Sequence, residues 1–275
     1  MPSVDSNPTE RSIKVILCTI AYREKLLDYA LDVAAELQFD GIEVWGREPH
    51  LPEKFDENRL RATKKRLDAT QVRPWVLGSY LRFGSTKNDL DISLADVLHI
   101  GRWLKTPLIR VWASDVSSAD ATEEVWQRTV QEASQACDRA DKLNLTLVVE
   151  MHAGTLADTA QSAKRLVEQV NRECFKLNFQ VASEPDGQTP QERLEMVLPW
   201  VAHVHAQNYG RLPGCQGENV ARAPLAAGAV SYPNLLALLR SAGYSGSIAV
   251  EFAYDETGDK RQALAEDLQF LRAIC

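Results

Sequence analysis

Short apolar runs alternate with longer amphipathic stretches along the chain. Runs that begin near Ile13, Gly41, Val72, Leu108, Leu145, Phe175, Val201 and Ser247 read as strands. Between them apolar residues recur at helical spacing, as in 26–37, 60–69, 122–143, 159–170 and 234–242. Eight strand–helix alternations predict an α/β fold of one domain, a (β/α)8 TIM barrel. The length of 275 residues suits it, since such a barrel takes about 250. Residues 1–12 are polar and predict a disordered or extended segment ahead of a catalytic barrel over 13–275. No interior stretch is rich enough in Pro, Gly and Ser to be a linker. Two segments read as functional loops. One is 207–231, which holds Arg211, Arg222 and three glycines before Gly228; the other is 184–191, polar and bracketed by prolines.

Side chains alternate across a strand, so parity separates the helix-facing residues from those inside the barrel. The helix-facing set is apolar: Ile42 and Val44, Ile109 and Val111, Leu147 and Val149, Leu177 and Phe179, Ala202 and Val204, Ile248 and Val250. Facing inward are Glu43 and Trp45, Arg110 and Trp112, Val148, Glu150 and His152, Asn178 and Gln180, His203 and His205, then Ser247, Ala249 and Glu251. A barrel interior is normally filled by branched aliphatics, so this set is unusually polar. Three carboxylates, Glu43, Glu150 and Glu251, face one guanidinium, Arg110, which leaves two negative charges with the histidines neutral. Burying them uncompensated costs several kcal/mol each, in order-of-magnitude terms. They must protonate, pair or bind a cation. Two carboxylates, an imidazole and an amide oxygen suit a divalent ion such as Mn²⁺, Zn²⁺, Co²⁺ or Mg²⁺. We expect Arg110 to pair with Glu43.

Composition narrows the classes. Apolar residues make up 45% and charged residues 25%, as in ordinary globular proteins. With 31 basic against 38 acidic residues, a net charge of −7 and no polybasic block, neither nucleic acid nor a membrane surface is expected as partner. Five scattered cysteines without CxxC spacing, and no signal-like apolar core at the amino end, predict a reducing, cytoplasmic setting. Oligomeric state stays open, a homo-oligomer included.

Four motifs fall in order at barrel spacing. They are Leu37-Gln38-Phe39-Asp40-Gly41-Ile42-Glu43, Val149-Glu150-Met151-His152, His203-Val204-His205, and Gly243-Tyr244-Ser245-Gly246 followed by Glu251. Together, from about Ile13 to the carboxyl end, the chain resembles the xylose isomerase-like TIM-barrel superfamily. That group holds sugar and sugar-phosphate isomerases, ketose epimerases, related dehydratases and apurinic-site endonucleases. The resemblance implies a metal held by Glu150, Gln180, His205 and Glu251, although the family usually carries Asp where Gln180 stands. Ser183 replaces a histidine often found in the epimerases, and Leu156 replaces their glutamate. Arg211, six residues after His205, matches an arginine that these epimerases use on substrate oxygens.

The expectation is a metal-dependent isomerase or epimerase acting on a sugar or sugar derivative, in which Glu150 and Glu251 move a proton next to a carbonyl through an enediolate. The alternatives are a lyase or dehydratase on the same scaffold, or a sugar-binding barrel whose metal site has degraded at Gln180. Endonuclease activity is disfavoured, because its multi-metal cluster is histidine-rich and this chain has five histidines. His152, Arg211, Trp112 and Trp45 are the expected carbohydrate-binding residues, the tryptophans by stacking on sugar rings. The competing accounts are structural ion pairs for Glu150 and Glu251, a barrel amide for Gln180, a solvated loop arginine for Arg211 and ordinary packing for the tryptophans. His203 lies a layer deeper and reads as a hydrogen-bonded core histidine. Tyr80, Arg82, His50 and His99 carry no separable signal.

Overall fold

A computed structural model of the protein describes residues 13–85, 92–181, 187–211 and 221–275. Eight parallel strands close a barrel in chain order. They are β1 (Lys14–Cys18), β2 (Ile42–Trp45), β3 (Pro74–Phe83) and β4 (Leu108–Ala113), then β5 (Thr146–Glu150), β6 (Phe175–Gln180), β7 (Val201–Ala206) and β8 (Ser247–Val250). β8 returns to β1, with Lys14 beside Ser247 and Leu17 beside Val250, so no strand edge is left open. The helices α1 (Leu27–Glu36), α2 (Glu57–Thr70), α3 (Leu94–Leu104), α4 (Glu123–Ala140), α5 (Ala160–Val170), α6 (Pro190–Val197), α7 (Tyr232–Ser241) and α8 (Lys260–Ile274) follow the strands in turn. No helix among the described residues is long and apolar enough to cross a membrane.

Local chemistry sets where strands give way to helices. Asp56, Ser93, Thr122, Thr159 and Thr189 each accept a hydrogen bond from the backbone N–H three residues on, satisfying donors that a helix start leaves bare. The cap at Thr189 corrects one expectation. Thr189 and Glu192 form a capping box with Pro190 in the first turn, so 190–191 belong to α6 and not to a loop. Residues 1–12, Ser183, the 184–186 part of that segment and the 212–220 part of the other expected loop lie outside the described residues.

Strand parity is as expected. Ile42, Val44, Ile109, Val111, Leu147, Leu177, Phe179, Ile248 and Val250 are buried in the layer between strands and helices. Inside the barrel, Ile16, Cys18, Val76 and Ala249 form a small separate apolar cluster. The remaining interior is polar: Glu43, Arg110, Glu150, Asn178, Gln180, His203 and His205 are all buried. Gly78 makes room for them, since a Cβ there would stand 2.7 Å from Glu43 Oε1.

One buried carboxylate lies apart from this layer. Asp267 on α8 accepts from the backbone N–H of Leu225 at 2.8 Å. Burial pushes its carboxyl up to about 7, against the opposing pull of that N–H. The folded value lies above the unfolded one, so the native state holds the extra proton between about pH 4 and pH 7 and loses stability as pH rises through that window. Asp267→Asn keeps an acceptor and removes the charge. Urea unfolding should show the variant gaining on wild type from pH 4 to 7, then holding a level advantage on the order of 1–2 kcal/mol. A difference independent of pH would show that this carboxylate carries no such burden.

Candidate active site

His205 stands at the centre of the polar interior. Register places Gln180 beside it on β6 and Ala249 beside it on β8, so Glu251, just past the end of β8, arrives from the other flank. Its Nδ1 lies 3.3 Å from Gln180 Oε1 and 3.4 Å from Glu251 Oε1. Its Nε2 points the opposite way, 2.7 Å from Glu43 Oε2, with the Asn178 amide at 3.2 Å. Glu43 Oε2 also takes a hydrogen bond from His203 Nε2 at 3.0 Å, and Ser247 Oγ donates to His203 Nδ1 at 2.8 Å. His203 is therefore the core histidine its parity predicted.

Arg110 corrects the expected pairing. Its Nε is 3.1 Å from Glu150 Oε2 and 3.9 Å from Glu43 Oε1. Glu43 instead belongs to the two histidines. Burial raises the Glu43 carboxyl, but His205 and His203 outweigh it and hold the group well below the usual carboxylate range. Burial pushes His203 down, which keeps it neutral with its one N–H toward Glu43. His205 differs: burial opposes its charge, yet Glu43 and Glu251 outweigh burial and push the imidazole up to about 9. Burial also pushes Glu251 up to about 7; His205 opposes this, while Glu150 and Glu43 add to it.

Two groups of side chains bring single donor atoms within 4.8 Å of one another, Glu43–His203–His205 and Glu150–His205–Glu251. They are not equivalent. Glu43 Oε2 is already satisfied by two N–H donors, whereas Glu251 Oε2 is buried without a hydrogen-bond partner and Glu150 Oε2 has only its ion pair with Arg110 Nε. Carboxylate oxygens so sparsely partnered beside an imidazole that holds an extra proton describe a place for a cation. Glu150, His205 Nδ1 and Glu251, with the Gln180 oxygen, could hold one divalent ion. Glu43, gripping the far nitrogen of His205, fixes the ring with Nδ1 toward the carboxylates, as carboxylates do behind metal-bound imidazoles.

Above this group opens a cavity of about 300 Å³, lined by Tyr80, Arg110, Trp112, Glu150, His152, Gln180, Gln207, Tyr209, Arg222, Glu251, Phe252 and Ile20. His152 and Trp112 are thus placed as expected. The His152 ring meets the Trp112 edge at 5.2 Å and donates from Nδ1 to the carbonyl of Ala153 at 2.8 Å, which leaves Nε2 as an acceptor. Trp45 does not line the cavity; its Nε1 donates to Tyr80 OH at 2.8 Å and steadies that ring from behind. Arg211 is likewise absent from the lining, and Arg222 is present. Tyr80, which carried no signal in the sequence, stacks on Trp112 with centroids 6.0 Å apart. The pairing of β3 with β4 shifts between Gly78 and Arg82, so alternation does not reach Tyr80.

Residues 31–274 match the model of the xylose isomerase-like TIM barrel family, and the chain belongs to that family. A relative, 3-dehydroshikimate dehydratase of Bacillus anthracis, is 26% identical over 256 residues, covering 86% of this chain and 90% of the relative. The crystal structure of the probable 3-DHS dehydratase AsbF, involved in petrobactin synthesis in Bacillus anthracis, superposes with a TM-score of 0.74 at 22% identity, over 94% of this chain and 99% of that one. The IOLI protein with a bound zinc atom superposes with a TM-score of 0.78 at 17% identity, over 95% and 98% of the two chains.

The donor set carries its own test by calorimetric titration with Mn²⁺ or Zn²⁺. One ion per chain is expected, with Glu150→Gln and Glu251→Gln each weakening it about tenfold or more and Gln180→Asp tightening it. An ion bound equally well by both Gln variants would lie elsewhere.

Proposed function

We propose that the protein is a divalent-metal-dependent lyase that removes water from a small polyhydroxylated ring ketone, 3-dehydroshikimate or a close analogue. The observation that carries this reading is the convergence of Glu150 and Glu251, the latter with an oxygen that has no hydrogen-bond partner, on His205 beneath a cavity walled by Tyr80, Trp112 and His152. Likeness to a dehydratase over most of both chains selects among the reactions such a site can run. Isomerisation, the expectation drawn from sequence, gives way here to its alternative. Leu156, fully buried, stands where the resemblance placed an epimerase glutamate, which agrees with that choice.

Glu150, Gln180, His205 and Glu251 would hold the ion. When bound, it polarises the substrate carbonyl and steadies negative charge that develops on the carbonyl oxygen. The chain's own residues do the rest. His152, its Nδ1–H tied to Ala153, offers Nε2 to the proton on the carbon next to the carbonyl. That C–H bond breaks, its electrons form the new double bond, and the hydroxyl on the neighbouring carbon leaves. The imidazolium of His152 hands the proton to that hydroxyl, so one water departs and the base is restored. In the tautomerisation that completes an aromatic ring, a carboxylate of the Glu150–Glu251 pair takes a proton from the ring CH2 and returns it to the former carbonyl oxygen. Tyr80 and Trp112 lie within 23° of parallel and offer flat faces to a ring that becomes planar.

Incubation with 3-dehydroshikimate should yield 3,4-dihydroxybenzoate and a mass loss of one water. Chelation should abolish turnover and added metal restore it. His152→Ala should lower kcat about a hundredfold or more with metal content unchanged. Turnover of a ketose with no change in mass would return the reading to isomerisation. A protein that binds no metal would leave only a sugar-binding barrel.

A further inference from the structure

The cavity contains two arginines in different circumstances. Arg110 is buried, with its Cζ 4.9 and 4.8 Å from the ring centroids of Tyr80 and Trp112, and is committed to Glu150 and Glu43. Arg222 lies on a two-stranded ribbon that pairs Asn208–Tyr209 with Arg222–Ala223. Its Cζ sits 3.8 Å over the ring of Phe252, the residue after Glu251. Its Nη1 meets Glu256, but its Nε is buried with no hydrogen-bond partner.

Charge counting shows what is left over. Glu256 also pairs with Arg23 at 3.0 Å, and Arg23 reaches the same Phe252 ring at 5.9 Å. Two guanidiniums thus share one carboxylate, which leaves this trio with one positive charge. Deeper in, Glu43, Glu150 and Glu251 against Arg110 leave two negative charges, which a divalent ion would cancel. Among the described residues that line it, the surplus positive charge of a loaded cavity therefore lies on the Arg222 side. Tyr209, directly across the ribbon from Arg222, donates to Gln207 Oε1 at 2.8 Å, so the Gln207 NH2 is the donor that remains.

We propose that Arg222 is the residue that selects a substrate with one negative charge, taking its carboxylate with the Gln207 amide beside it. This rests on the lyase reading for the reaction, but the preference for an anion can be measured without turnover. A charge-assisted contact of this kind corresponds to about tenfold to a hundredfold in affinity.

The test uses the metal-loaded full chain and two ligands that differ only by the carboxylate, 3,4-dihydroxybenzoate and catechol, titrated by calorimetry. Wild type should hold the acid about tenfold to a hundredfold more tightly. Arg222→Gln should erase that difference while binding catechol as before, and Arg222→Lys should keep part of it. In turnover, Arg222→Gln should raise KM by the same factor and change kcat by less than about threefold. Catechol affinity and metal content report whether the variant is folded. A wild type with no preference for the acid overturns the inference, as does an Arg222→Gln that keeps the preference or loses both ligands alike. Absence of lyase turnover with an Arg222-dependent preference intact would sink the lyase reading alone.

Discussion

One carboxylate at the bottom of the polar interior organises the rest. Glu43, with no solvent exposure, receives hydrogen bonds from His203 and His205 on a single oxygen. A buried carboxylate this well paired stays charged, and that charge keeps a proton on the Nε2 of each ring. With Nε2 committed to Glu43, His205 can only present Nδ1 to Gln180 and Glu251. Breaking such a buried pair by removing one partner costs about 3–5 kcal/mol, because the other charge is left unanswered. The direction of the central imidazole is therefore as firmly set as the barrel.

The interior is divided by height. Ile16, Cys18, Val76 and Ala249 give a small apolar packing unit inside the strands, and the remaining stability comes from the layer where strands meet helices. This division lets the barrel tolerate charged groups that would otherwise destabilise it. Arg110 answers part of the negative charge through Glu150, but its Nη1 and the Oε2 of Glu251 still lack hydrogen-bond partners. Unsatisfied polar atoms in a closed core are rare because each costs about 1–3 kcal/mol. Several of them at the floor of one cavity identify the place where binding free energy is recovered from a ligand.

Gln180 differs from the other oxygen donors in carrying no charge. An amide oxygen supplies a lone pair without charge, so the ion would see two carboxylates where the family pattern usually offers three. The same oxygen lies 3.3 Å from His205 Nδ1 and helps hold the ring. Removing one negative charge from the donor set lowers the demand for a cation and makes the overall charge of the loaded cavity more positive. That suits the anionic substrate proposed above better than a neutral sugar.

The alternation of short apolar runs with amphipathic stretches determined the barrel, because a strand buried on one side by helices and a helix buried along one stripe leave distinct periodicities. Parity then told Glu43, Arg110, Glu150, Gln180, His203 and His205 apart from their helix-facing neighbours, and the same parity put His203 in the core. Three matters only the tertiary structure decided. Whether Arg110 meets Glu43 or Glu150 depends on the stagger of four strands, which no single strand encodes. Tyr80 enters the cavity because the β3–β4 register shifts, which breaks the period that parity relies on. Arg222 lines the cavity because the ribbon pairs it with Tyr209, and a loop's path follows from what it packs against rather than from spacing along the chain.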